Sequence, residues 1–424
     1  MLRETGRNIP QGRLKSALVP IILIVFLDIL GMTIMIPVLA PIFLDKSTTI
    51  LAADVSSSTR TILLGFLLSS YPLAQFFGAP IFGALSDKYG RKKILFLSMA
   101  GSLIGYVMFS TGLIFGSLAI LFASRLIDGF TGGNISVALS AIADVSNKNS
   151  KTKNFGLVGA AYGAGLILGP VIGGVLSNSN LVSWFSHSTP FLFAAILTFA
   201  NMLLLIKFFP ETLKKRIETP LSFFAGFRNI RKAFRMPNLR TMFSVVFLIM
   251  LGFAFFIYFL PVFLIEKFNY NESLIGYLLA YLGMWIVLTQ IFIIRPVSRR
   301  YSAEKILRTS LIALAISLFL ITMPKKSITL YFIAPLTAIF TGLTMPSYNA
   351  IISNLGREDS QGEILGINQS MQSLAQAIPP VIAGFVVAVH AELPTLIAAA
   401  ATFLAWALFV VFFSNSHGKK FHEV

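Results

Sequence analysis

Apolar runs of about 20 residues, each long enough to cross a bilayer as a helix, alternate along this chain with short polar clusters. Twelve runs are expected to form transmembrane helices: 18–44, 60–85, 94–112, 117–142, 155–177, 189–209, 240–264, 273–294, 304–323, 328–352, 363–389 and 393–414. A longer polar stretch separates the sixth from the seventh. The pattern predicts an all-α membrane protein with a six-helix bundle at 1–212, a linker at 213–239 and a second six-helix bundle at 240–424. In the linker, Phe223, Phe227, Ile230 and Phe234 fall at helical spacing opposite Arg228, Arg231, Lys232 and Arg235. This predicts an amphipathic helix on a membrane surface, the alternative being a solvated basic linker.

Composition agrees with the hydropathy pattern. The chain has 424 residues, is 56% hydrophobic and 12% charged, and has a mean hydropathy of +0.80. That much apolar surface excludes an ordinary soluble domain. The formal charge of +17 would suit nucleic acid, but its distribution argues otherwise. All but six of the 34 Lys and Arg fall in the termini and alternate loops, among them Arg91, Lys92, Lys93, Lys148 and the stretch Arg295 to Arg308. The six exceptions are Lys46, Arg60, Arg125, Lys267, Lys325 and Lys326. By the positive-inside rule both termini lie in the cytoplasm, in a multi-pass protein of the inner (plasma) membrane. No nucleic-acid partner is expected. The first apolar run is too long for a cleavable signal peptide. With no cysteine, disulfides and thiol chemistry are excluded, and His187, His390, His417 and His422 lie in loops or the tail.

The chain repeats itself at an offset of 210 residues. Gly129–Gly174 aligns without gaps on Ile339–Gly384 with about ten identities, including Phe130-Thr-Gly132 on Phe340-Thr-Gly342 and Pro170-Val-Ile-x-Gly174 on Pro380-Val-Ile-x-Gly384. At a nearby offset, Ser86-Asp-Lys-Tyr89 mirrors Ser298-Arg-Arg-Tyr301. Two halves therefore descend from one template, in parallel orientation.

Charge inside the runs marks candidate chemistry. Asp28 lies about eleven residues into the first run, or roughly 16 Å at 1.5 Å per residue, near the bilayer middle. Asp128 reaches a similar depth in the fourth run, with Arg125 three residues earlier on the same helix face. Unpaired charge at that depth is costly, so these groups should face a cavity and one another. An Arg between two carboxylates would hold one ionised and leave the other to load and release protons. A static ion pair that fixes packing is the alternative. In the second half Arg125 and Asp128 become Pro335 and Ala338, so proton handling is expected in the first half alone. Asn134, Phe256, Gln290, Asn349 and Gln372 are candidates for a substrate cavity.

The loop Gly83-Ala-Leu-Ser-Asp-Lys-Tyr-Gly-Arg-Lys-Lys93 turns sharply between two runs. Its spacing, G-x-L-S-D-x-x-G-R-K, resembles the signature loop of the major facilitator superfamily. The fifth run, Gly159-x-x-x-Gly163-x-Gly165-x-x-x-Gly169-Pro170-x-x-Gly173-Gly174, is similar to the antiporter motif of the twelve-helix drug:proton antiporters. Asp28-Ile-Leu-Gly31 and Arg125-x-x-Asp128-Gly129 look like their first and fourth helices. The resemblance spans nearly the whole chain and is closest to the tetracycline-antiporter branch. It implies the two-bundle major facilitator fold and, in Gly83, Asp87, Gly90, Arg91 and Asp144, a cytoplasmic latch that stabilises the outward-facing state. The second half supplies a control, because Asp87, Arg91 and Asp144 become Arg299, Ala303 and Asn354 together. The branch usually carries further acidic residues in helices 3 and 9. Here Ser102–Tyr106 and Leu314–Leu318 are neutral, which argues against tetracycline itself as the substrate.

The expected function is multidrug efflux: a proton-coupled antiporter that exports small amphipathic compounds, cationic or zwitterionic, by alternating access. A proton-coupled importer on the same fold and a non-transporting receptor or scaffold are the alternatives. No enzyme is expected, since neither a G-x-x-x-x-G-K-[ST] loop nor a metal-ligand cluster appears. The expected partners are a small-molecule substrate, protons and the lipid bilayer, acting on a monomer, with the proton gradient in place of any cofactor.

Overall fold

The computed structural model describes residues 11–145, 151–213, 222–236, 239–355 and 361–414. Lys148, His417 and His422 lie outside these residues, as do linker positions 214–221 and the side chain of Asn354. Every element among the described residues is helical.

The first apolar run forms α1 (Gln11–Ile34) and α2 (Ile36–Leu44), separated at Met35. Pro37 causes no clash there, because it sits in the first turn of α2, where an N–H would have no intrahelical partner. Then follow α3 (Ser57–Tyr89), α4 (Arg91–Ile114), α5 (Leu118–Thr131), α6 (Ile135–Val145), α7 (Lys151–Leu176) and α8 (Thr189–Phe208). The linker helix α9 (Ala225–Arg235) precedes α10 (Arg240–Phe268) and α11 (Glu272–Leu288). A π-helical turn, Thr289–Ile293, joins α11 to α12 (Ile294–Arg300). The chain ends in α13 (Ala303–Ile321), α14 (Leu330–Leu355), α15 (Gln361–Val387) and α16 (Leu393–Leu408).

Among the described residues, nine helices are long and apolar enough to cross a membrane. Of the other three expected crossings, two differ for identifiable reasons. The run at 117–142 is not one helix, because it breaks at Gly132–Asn134 between α5 and α6. The fifth expected crossing lies within α7 (Lys151–Leu176), where the described apolar stretch is Ala161–Leu176. Glu304, Lys305 and Arg308 charge the first turns of α13.

The two ends of the molecule are built differently. At the end opposite the basic loops, one apolar core draws on both halves, with Val38, Phe43 and Leu67 packed in the same cluster as Phe255, Phe263 and Leu279. Polar contacts join the halves there too. Thr61 donates to the Gly384 carbonyl at 3.0 Å, Asn178 donates to Ser273 Oγ at 2.8 Å, and His187 Nε2 lies 3.3 Å from Glu272 Oε1. At the basic end the cores are separate. One holds Ile24, Leu95, Val137 and Leu205 of the first half, and the other holds Phe243, Leu307, Ile352 and Ile367 of the second.

The glycine face of α7 accounts for much of the closure. Gly169 and Gly173 seat α1 at Thr33 and Ile34, while Gly174 faces Gly276 of α11, so a side chain at any of them would meet neighbouring backbone or Thr33. The carbonyl of Pro170 faces Gly276 as well, Gly163 approaches Val287, and Gly159 lies one helical turn before it.

Bridging the halves at the basic end is α9. Phe227 meets Phe76 edge to face at 5.1 Å, Phe223 stacks on Phe77 at 4.6 Å, and Asn229 donates to Ser370 Oγ at 3.0 Å. Phe223, Phe227 and Phe234 remain half exposed.

Candidate functional site: a buried carboxylate pocket and a charged latch

Asp28, Arg125 and Asp128 are all buried within the first half. Two pairs form rather than one trio. Arg125 Nη2 lies 3.3 Å from Asp128 Oδ2, as the three-residue spacing requires. Asp28 instead accepts a hydrogen bond from Asn134 Nδ2 at 3.3 Å, so the expected arrangement of Arg125 between two carboxylates is replaced by an Asp28–Asn134 pair. The guanidinium of Arg125 lies over Phe109 at 4.6 Å and over Tyr71 at 5.8 Å, and Nη1 approaches Met35 Sδ at 3.7 Å. Such aromatic faces favour a desolvated cation.

Several polar atoms here have no protein partner: Asp28 Oδ2, Asn134 Oδ1, and Arg125 Nε and Nη2, the last close to Asp128 but poorly aligned for a hydrogen bond. Buried polar groups are normally satisfied, so these spare acceptors and donors point to a proton, water or cargo as the missing partner.

The break between α5 and α6 places Asn134. Gly132 donates its N–H to the Asp128 carbonyl at 2.7 Å and ends α5. Its own carbonyl accepts Gln75 Nε2 of α3 at 3.0 Å, while Ser98 donates to the Thr131 carbonyl at 2.7 Å. These side chains satisfy backbone groups that a broken helix would otherwise leave bare at membrane depth. Gln75 also accepts from Ser373 of the second half at 3.5 Å. Sequence reasoning had passed over Gln75, and a lone amide inside an apolar run was the available signal. It had also read Ser102–Tyr106 only as neutral. Gly105 in that stretch gives Asp128 its seat, and Tyr106 donates to the Leu27 carbonyl at 3.4 Å.

At the basic end, Arg91 Nη1 pairs with Asp87 Oδ1 at 2.7 Å and donates to Ser86 Oγ, and Arg91 Nε reaches Asp144 Oδ2 at 3.4 Å. The three sequence-nominated charges thus meet. Gly90 turns the chain at φ 107°, which disfavours any side chain, and a Cβ there would press into the carboxylate of Glu211. A Cβ at Gly83 would lie 3.9 Å from Ser136 Oγ of α6, an ordinary contact. Glu211, missed from sequence, accepts the N–H groups of Arg91 at 2.9 Å and Lys92 at 3.3 Å and so caps α4. Its signal was an acidic residue directly after the sixth run, on the side of the basic loop. Thr212 beside it donates to Asp144 at 3.3 Å. Asp144 lies beyond the apolar stretch of α6, and its carboxyl is raised above the usual value by burial, a rise that Arg91 opposes.

The model of the Major Facilitator Superfamily matches residues 21–299 and again 242–422. The chain belongs to this superfamily. It is 31% identical to the tetracycline resistance protein, class C, of Escherichia coli over 89% of this chain and 91% of that protein. It is 27% identical to the quinolone resistance protein NorA of Staphylococcus aureus (strain MSSA476), over 94% and 96% of the two chains. Its fold matches the crystal structure of a D-xylose-proton symporter with a TM-score of 0.75, at 16% identity over 94% and 98% of the chains. Superfamily membership makes this chain a membrane transporter.

The transporter's nominated cavity residues scatter. Phe256 lines two adjoining chambers beside α10, one enclosed by the second half and one between the halves. Asn134 belongs to the carboxylate pocket instead. Gln290 is half-buried in the π-helical turn after α11, Asn349 is exposed near the basic end of α14, and Gln372 is half-buried on α15. None of these four lines either chamber.

Proposed function

We propose that this transporter is a proton-coupled antiporter that exports small amphipathic compounds, with alternating access between two bundles of six crossings each. The observation that carries the reading is the first-half pocket, where Asp128 sits buried against Arg125 and Asp28 sits buried with one carboxylate oxygen that has no protein partner. A carboxylate in that setting can exchange its partner for a proton or for cargo. The repeat equivalents Pro335 and Ala338 carry no charge, so one half handles protons.

The unequal ends supply the path. A shared core at one end and separate cores at the other support a state open toward the basic end. The positive-inside rule assigns that end to the cytoplasm, and with it both termini and the latch. Opening the far side requires splitting the shared core, and the Asp87–Arg91–Asp144 cluster is suited to hold the basic end once that happens. The resistance proteins among the relatives support export, and the negative charge of Asp28 and Asp128 suits cationic or zwitterionic cargo.

Everted vesicles holding a preformed pH gradient test the proposal with a panel that includes tetracycline and a quinolone. Addition of a cargo compound should dissipate the gradient. The Asp28→Asn, Asp128→Asn double variant, with normal membrane insertion, should lose the response by at least about tenfold, as expected when a general proton carrier is removed. Gradient-driven transport that survives in the double variant would refute the coupling assignment. Cargo movement in the same direction as protons would favour an importer.

A further inference from the structure

Helix α3 stands between the carboxylate pocket and the second half. On one side it lies against the broken stretch of α5 and α6, backbone on backbone. A Cβ at Gly129 would press on the Tyr71 carbonyl, one at Gly78 on the Phe130 carbonyl, and one at Gly133 on the backbone of Ala79. On its other side α3 packs along α15 of the second half. There Thr61 donates to the Gly384 carbonyl at 3.0 Å and Ser69 donates to the Ala377 carbonyl. Both hydroxyls hold the seam by reaching backbone.

Gln75 differs, because its buried side chain uses both ends of the amide. Nε2 donates to the Gly132 carbonyl at 3.0 Å, and Oε1 accepts from Ser373 Oγ of α15 at 3.5 Å. That carbonyl lies at the C-terminal end of α5, where helix carbonyls lack intrahelical partners. The reverse orientation of the amide would set its oxygen against the Gly132 carbonyl, so the two bonds come as a pair. Two residues beyond Gly132, Asn134 holds Asp28. One amide thus pins the helix break and grips the second half. The other titratable groups around Asp28 are Asp128 and Arg125 of α5, Tyr71 of α3 and Tyr106 of α4.

We propose that Gln75 is a positioning residue for the proton step, tying the carboxylate pocket to the docking of α15 on α3. The inference rests on the transport reading, because the step it serves is the proposed proton exchange at Asp28. While α15 is docked, Ser373 steadies the amide, the amide holds the Gly132 carbonyl, and Asn134 is presented to Asp28. When the end opposite the basic loops opens, α15 leaves and the amide loses Ser373. The break is then no longer held, Asn134 withdraws, and a proton from the opened side takes its place on the Asp28 carboxylate. Closure restores the donor and sends that proton toward the basic end.

Distance measurements on the full-length protein in lipid nanodiscs test it. The chain has no cysteine, so spin labels at Lys46→Cys and Lys325→Cys, exposed on the two halves, report whether the end opposite the basic loops is closed. His187→Gln in the same background silences the His187–Glu272 contact there. The quantity read is the open-to-closed ratio in acid divided by that ratio in alkali. A variant that merely loosens the seam multiplies both ratios alike, whereas a lost link between protonation and docking shrinks the quotient. The background should give at least about tenfold, and Ser373→Ala and Gln75→Met should each lower it about fivefold, the weight of one hydrogen bond. Thr61→Val, which removes a contact of the same seam, should leave the quotient unchanged, and Asp28→Asn should bring it to unity. Should Gln75→Met fail to fold, as judged by elution volume and thermal unfolding, Ser373→Ala still decides. A quotient of unity in the background, one unmoved by Ser373→Ala, or one that survives Asp28→Asn would each overturn the assignment. A failed antiport assay beside a Ser373-dependent quotient would refute the export reading and leave the link standing.

Discussion

Residues 125–134 and residues 335–344 come from one template and have become opposites. The first copy carries Arg125 and Asp128, breaks at a Gly-Gly pair, and turns Asn134 onto Asp28. In the second copy Pro335, Ala338, Leu343 and Thr344 replace Arg125, Asp128, Gly133 and Asn134, the helix continues, and the neighbouring chambers are neutral. Gly133 packs directly on the backbone of Ala79, an approach that leucine at the matching site would not permit. The difference teaches that charge and helix irregularity travel together. A broken helix frees an amide to reach a buried carboxylate, and a helix without buried charge has no such demand.

Removing the charge balance should break the contrast most severely. Arg125→Met leaves Asp128 buried without its cation and should destabilise the folded protein by about 3–5 kcal/mol, read as thermal unfolding in nanodiscs. Adding Asp128→Leu, which makes the site as neutral as its counterpart, should recover most of that loss. A double variant as unstable as the single would show that the pair is not what Arg125 supports. Next in size, Asn134→Thr copies the second-half residue into the first. It should cost about 1–3 kcal/mol by leaving Asp28 without its donor, and should shift the pH profile of transport. An unmoved pH profile would separate Asn134 from the proton step.

The same contrast recurs at the basic loops with smaller energies. Asp87→Asn weakens a partly exposed ion pair worth about 0.3–0.5 kcal/mol, so unfolding should barely change. Transport should nevertheless fall, since the pair belongs to the proposed latch, whereas Arg299→Ala in the degenerate copy should be silent in both assays. Equal transport by Asp87→Asn and the wild type would sink the latch. The smallest effect concerns Asp144. Its carboxyl is raised above 3.8, so just above that pH the folded protein holds a proton that the unfolded chain has released. Stability should therefore decline gently as pH rises through that window. Asp144→Asn should flatten the slope, as followed by the unfolding midpoint across mildly acidic buffers.

Much of this was legible in residue order. Run length and loop charge gave the helical architecture, and the paired loss of Asp87 and Arg91 in the second half pointed to partners that do meet. Asn134 was nominated, but not its pairing with Asp28, because a sequence does not reveal that Gly132-Gly133 will end a helix and turn the next side chain inward. Glu211 and Thr212 escaped notice because capping depends on where the sixth crossing delivers the chain. The two partners of Gln75 could not be foreseen at all. That one amide meets both Gly132 and Ser373 is a fact about α3 lying between the halves, and only packing decides it.

The break at Gly132–Asn134 also bears on how the protein is made. The segment from Leu118 to Val145 is not among the nine helices that, among the described residues, are able to cross a membrane by length and apolarity. Arginine and aspartate near the centre of a lone inserting helix are each unfavourable by about 2.5–3.5 kcal/mol. This segment is therefore a poor passenger by itself. In the folded protein α3 and α4 receive it with Tyr71, Gln75 and Phe109, so it is expected to enter the bilayer in their company. Cooperative biogenesis follows as an expectation: a substitution in α3 that spares transport chemistry should still lower the yield of mature protein.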